Sequence, residues 1–239
     1  MSGSAGSTVG FGLSMAVADT RAGLTCTFLL ASAGFARKAA AIEATEGIGA
    51  GDPSLVEHIG YVAAAVMQSV TALEAESWEI TSHGPGHHLG SNGIDVNAQA
   101  FLQPLAEMID GLGVLERYAT MLHLLRKPPL DRGAQPSQDA DLLVKLRNEL
   151  THYKSIWGRE SERRKLFTSL KQLNHPRPSF VADGGNFFPR ECLSAACAAW
   201  AVRTAVSYLN AVYERLGIET PLARYGEVFA ALLRTGESE

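Results

Sequence analysis

The stretch from Asp52 to about Ile80 constrains this chain more than any other. Asp52-Pro53 is a helix start: aspartate can cap the free N–H groups, and proline has the right φ and no N–H to lose at the first helical position. Behind it Leu55, Ile59, Val62, Val66, Val70 and Leu73 recur at spacings of three and four, the period of one helix face. Ala63, Ala64 and Ala65 leave room for a second helix to approach closely. A helix this long needs other helices to cover its apolar face.

The rest of the sequence supplies them. Thr25 to about Thr45 reads as a first helix, with Phe28, Leu29, Phe35 and Ile42 as core anchors, broken by Gly47, Gly49 and Gly51. A third helix is expected over about Asn97 to Leu125, kinked at Gly111 and Gly113 and stopped by Pro128-Pro129. Its expected interior residues are Phe101, Leu105, Met108, Ile109, Leu115, Tyr118, Met121 and Leu122, with His123 as a structural histidine. Phe167, Leu170 and Leu173 mark a short helix. Pro189 and Gly217 bracket another long one, and Thr220-Pro221 opens a last one to about Leu233. With little strand signal, the expected fold is all-α: an antiparallel up-and-down helical bundle with extra helices. Residues 1–22, rich in Gly, Ser and Ala, read as a flexible tail or an extended, strand-like arm; 23–234 form a single helical domain and 235–239 a tail.

Composition narrows the function classes. Three cysteines, at 26, 192 and 197, make neither a disulfide framework nor a Cys-x-x-Cys pair, and no apolar run spans a membrane. The expectation is a soluble, reduced, cytoplasmic protein without a membrane partner. The loop at 81–98 carries His83, His87 and His88, which read either as metal ligands without an evident fourth donor or as an exposed polar loop. The loop reading is preferred, so neither metal nor cofactor is expected. No Gly-rich phosphate loop or Gly-x-Ser-x-Gly elbow occurs.

Chemistry concentrates at 141–154. Leu142, Leu143, Leu146 and Leu150 form an apolar stripe, and the remaining surface carries Arg147, Asn148, Glu149, His152 and Lys154. Asn148 and His152 are four apart and stand one above the other on a helix. Arg147 sits one position back, with a side chain long enough to lean towards them. Ser137 or Asp139 is expected to cap this helix, and Glu74 and Glu76 are candidates to steady Arg147 from the long helix. Residues 145–177 hold nine basic against three acidic side chains, +6 inside a chain of net −4. That local excess, including Lys154, Arg159, Arg163, Arg164 and Lys165, is either a solvated face or the footprint of a phosphate backbone. Phe180, Phe187 and Phe188 are expected to be packed, with base stacking as the alternative.

Arg147-Asn148-x-x-x-His152, with the Leu-Leu-x-x-Leu run before it and Tyr153-Lys154 after, resembles the Arg-(polar)-x-x-x-His motif of the HEPN superfamily. The resemblance implies an all-helical bundle that dimerises and often works as a metal-independent endoribonuclease in toxin or defence systems, restrained by an antitoxin or other regulatory partner. It further implies that His152 acts as general base or acid, Arg147 holds the phosphate, and Asn148 orients one of them, with Tyr153 in support. A non-catalytic module of the same fold, binding RNA, nucleotide or protein, is the alternative.

Overall fold

The computed structural model describes residues 23–48, 51–82, 101–153, 165–181 and 186–234. Among these residues the secondary structure is helical throughout, without a strand. The 1–22 arm, the 83–100 histidine loop and the 154–164 segment lie outside them. So do residues 49–50, 182–185 and 235–239.

Helix α1 (Thr25–Glu43) and helix α2 (Pro53–Ser82) form the first half of the core. They run antiparallel, as three contacts along their length show. At one end Glu79 of α2 accepts hydrogen bonds from the Leu24 and Thr25 amides and the Thr25 hydroxyl. This carboxylate from another helix satisfies α1's first free N–H groups, a task no local side chain performs. Midway, the buried Ser32 hydroxyl donates to the Ala65 carbonyl at 2.7 Å and meets Ser69 Oγ at 2.8 Å. At the far end Glu43 reaches His58.

Small residues make this approach close. Ala33, Ala36 and Ala39 are buried on α1 and Ala65 and Ala72 on α2. Phe28 and Phe35, expected as anchors, are only partly buried, and Phe35 stacks on Tyr61 at the rim. Two backbones joined through serine hydroxyls leave no room for phenyl rings between them.

Helix α3 (Ala106–Asp110), entered through a 3₁₀ turn at Gln103–Leu105, and helix α4 (Val114–Leu124) replace the single kinked helix expected from the sequence. Gly113 is extended (ψ 149°), so the chain restarts rather than bends. Ile109, Tyr118, Met121 and Leu122 are buried as expected. Phe101, Met108 and His123 are exposed instead. Tyr118 ties α4 to the core, donating to the Leu73 carbonyl at 2.6 Å and meeting the Tyr208 ring edge-on.

Helix α5 (Ser137–Thr151) carries the motif, and helix α6 (Lys165–Gln172) follows it. A single π turn (Phe187–Glu191) then leads into helix α7 (Ala195–Leu216), which Ser194 caps and Gly217 ends at φ +78°. The long helix thus starts six residues after Pro189, which lies in the π turn instead. Thirteen residues of α7 are buried, so it completes the core with α1 and α2. It runs parallel to α2: its start meets Glu43 near the beginning of α2, and Tyr213 meets Glu76 near α2's end. Thr220 caps a 3₁₀ turn (Pro221–Tyr225), and helix α8 (Gly226–Arg234) closes the described chain. No described helix is long and apolar enough to cross a membrane.

Candidate active site on helix α5

Leu143 and Leu146 are fully buried and fix which way α5 faces, while Leu142 and Leu150 pack partly against the core. Neither Ser137 nor Asp139 caps the helix. The N-cap is Pro136, Ser137 is the first helical residue, and its Oγ has no hydrogen-bond partner among the described residues. The helix stops one residue before His152, which is its C-cap, with its amide still bonded to the Asn148 carbonyl at 3.0 Å. Asn148 and His152 are therefore stacked as the spacing predicts, and both are exposed.

Arg147 goes elsewhere. At 3.6 residues per turn it lies roughly 140° from His152 around the axis, on the side turned to α2. There its Nη2 donates to Glu74 Oε1 at 2.6 Å. Both side chains are partly open to solvent, at 25% and 32%, which leaves further guanidinium N–H groups for an anion. Its Nε is buried without a partner among the described residues. The guanidinium is thus held by a carboxylate rather than leaning over Asn148.

Glu76, the other candidate partner, plays no part in this pair. Two residues along α2 it points inward, 1% exposed, and accepts from the Tyr213 hydroxyl, while its Oε2 has no partner among the described residues. Burial raises its pKa to about 7, against the lowering effect of the Tyr213 bond. The same burial, with the Glu76 charge beside it, pushes the Tyr213 phenol well up.

Of the expected RNA-binding residues, Lys154, Arg159, Arg163 and Arg164 lie outside the described residues, and Lys165 is exposed at the start of α6. Two other cations of the basic segment are engaged within the protein. Lys145 bonds Asp141 at 2.6 Å, and Lys171 sits 5.0 Å from the Phe187 ring centre. Tyr153 is exposed at its edge and rests against Phe188, which stacks on Phe167 at 4.7 Å. Phe180 abuts His58. The phenylalanines thus pack within the fold, as expected.

Two histidines outside the motif carry no signal in the sequence, because each stands alone in it. His58 is 1% exposed, its Nε2 2.7 Å from Glu43 Oε1, and that same oxygen accepts the Ala195 amide at 2.7 Å. His175 packs beside Trp200, and burial lowers its pKa, with Arg203 adding to the effect and Asp139 opposing it. Among the described residues no three His, Cys, Asp or Glu side chains gather as a metal site.

No family model matches this chain, and no curated protein or solved structure does either.

Proposed function

We propose that the chain is a HEPN-like, metal-independent endoribonuclease that cuts RNA by attack of the ribose 2′-hydroxyl on the adjacent phosphate. The observation that carries this reading is the end of α5, where an exposed imidazole follows a guanidinium already held at the surface by Glu74. An imidazole titrates near neutral pH and can take the 2′-hydroxyl proton or supply one to the departing 5′-oxygen. The 2′-oxygen–phosphorus bond forms as the phosphorus–5′-oxygen bond breaks, leaving a cyclic phosphate. Arg147 would bind the non-bridging oxygens through its free N–H groups and stabilise the charge they gain. Asn148, exposed one turn before His152, would orient the imidazole or the phosphate.

One imidazole does not readily serve as acid and base in the same step. The reading therefore includes a homodimer in which two His152 side chains face one RNA, within a bundle of HEPN-like arrangement. A reduced, cytoplasmic setting goes with it, and Cys26, Cys192 and Cys197 form no disulfide among the described residues. So does a toxin or defence role under a regulatory partner.

The test is RNA cleavage by purified protein in excess chelator, with His152→Ala and Arg147→Ala as controls and light scattering to count subunits. Chelator-resistant cleavage lost in both variants supports the proposal. Cleavage that needs a metal, or that survives both substitutions, rejects it.

A second reading rests on the same ion pair. Arg147–Glu74 joins α5 to α2, and a structural tie of that kind suits a non-catalytic module that binds RNA, nucleotide or protein. Salt-sensitive RNA binding with the RNA left intact would favour it.

A further inference from the structure

A groove of about 1230 Å³ runs beside α5, walled by α4, the 125–136 loop and α6, and floored by Tyr208 of α7. It is larger than the roughly 300–1,000 Å³ that single small ligands fill. Two buried hydroxyl residues line it. Tyr208 is 3% exposed, and Ser137, 7% exposed, has its Oγ without a partner among the described residues. A buried hydroxyl without a partner is uncommon and calls for one.

The groove's charges balance. Arg132, Lys145 and Lys165 stand against Glu116, Asp139 and Asp141, and Lys145 is already bonded to Asp141. That composition suits no phosphate backbone. The rest of the lining is leucine and valine interspersed with amides, including Gln135, Gln138 and Gln172. Such walls fit flat, uncharged groups that both donate and accept hydrogen bonds.

Position says whose groups these are. Gln138, Asp141 and Lys145 line the groove, and they share one side of α5 with Asn148 and His152. At 100° per residue all five fall within a sector of roughly 80°, and His152 lies about 10 Å beyond Lys145 along the axis. A strand with its scissile phosphate at His152 and running along α5 enters the groove within a few nucleotides.

Resting on the ribonuclease reading, we propose that this groove takes the unpaired bases flanking the cut site. The substrate class is then single-stranded RNA read by its base edges, with the backbone left outside. Amides and carboxylates read base edges, and apolar walls receive their faces. A base-paired strand has those edges occupied and cannot enter.

The experiment measures cleavage of a 12-nucleotide single strand and of its duplex by the full chain and by two variants. Ala119→Trp fills the groove from α4. Gln138→Ala/Gln172→Ala removes two exposed amides, of which Gln138 also donates to the Gly133 carbonyl at 2.6 Å, and circular dichroism and thermal melting check that both proteins fold. The expected result is a duplex cut at least tenfold more slowly than the single strand, a KM raised about tenfold in Ala119→Trp with kcat within threefold, and an altered choice of cut site in the double variant. Variants that cut the same sites with unchanged KM overturn the groove assignment and leave the ribonuclease reading standing; a groove that receives a segment of another protein gives that result. Equal cutting of duplex and single strand does the same. Wild-type protein that neither binds nor cuts RNA overturns both.

Discussion

Glu74 and Glu76 are two residues apart on one helix and live in different worlds. A helix turns about 200° over two residues, so Glu74 emerges at the α2–α5 edge while Glu76 is driven into the packing of α1, α2 and α7. Glu74 meets a guanidinium at 2.6 Å in partial contact with water. Glu76 meets a phenol with water excluded, and its pKa of about 7 makes it largely a neutral acid in mildly acidic solution. The comparison teaches that residue type assigns no role here. The outer carboxylate holds a guanidinium at the solvent edge, and the inner one is a polar strut whose ionisation is penalised.

Four predictions break or sharpen that contrast. The largest concerns the outer edge: His152→Ala or Arg147→Ala should each lower RNA cleavage by 10²-fold or more, about 3 kcal/mol of transition-state stabilisation, while thermal melting stays close to wild type. A comparable loss of stability in Arg147→Ala would make the ion pair a strut like its buried neighbour. Next, Glu76→Ala should cost about 2–4 kcal/mol by leaving the Tyr213 hydroxyl unpaired beside a void, measured by denaturant unfolding.

The pH dependence of stability comes third. Glu76's folded pKa, about 7, lies above its ordinary 4.5, so the folded state holds the proton more tightly. Its contribution is full below about pH 4.5 and is lost as pH rises through 7, on the order of 3 kcal/mol in all. Glu76→Gln should abolish that decline and overtake the wild type above pH 7. A wild-type curve flat from pH 5 to 8 would show that Glu76 is hydrated and the contrast false. The smallest effect belongs to Glu74→Gln: no more than about 1 kcal/mol of stability, since partly exposed pairs are screened by water, with cleavage reduced severalfold as Arg147 loses its support.

Much of the fold was legible in the sequence where one local rule decides. Asp52-Pro53, Gly217 and Thr220-Pro221 mark their boundaries because capping depends on the residue itself and its immediate neighbours. Ser137 looked equally good and fails, because Pro136 occupies the cap position. Pro189 misled because the chain makes a π turn there before the long helix begins. The α1–α2 interface differs from its sequence expectation for another reason: hydrophobicity favours Phe28 and Phe35, yet the distance between backbones favours alanine and serine, and that distance is set by the partner. At the candidate site, the stacking of Asn148 and His152 follows from spacing alone. The direction taken by Arg147 does not, because Glu74 lies 73 positions away, although both glutamates could be named as candidates. The groove was invisible for the same reason, being assembled from four separated segments.

The carboxylate of Glu43 carries a consequence for how the molecule is made. Its Oε1 receives the first amide of α7 from 152 residues further on, and His58 holds it from the other side. During synthesis the hairpin of α1 and α2 emerges long before that amide exists, so its apolar flank must wait uncovered for the last long helix. Chains halted before Ala195 are therefore the ones that chaperones and proteases should recognise first.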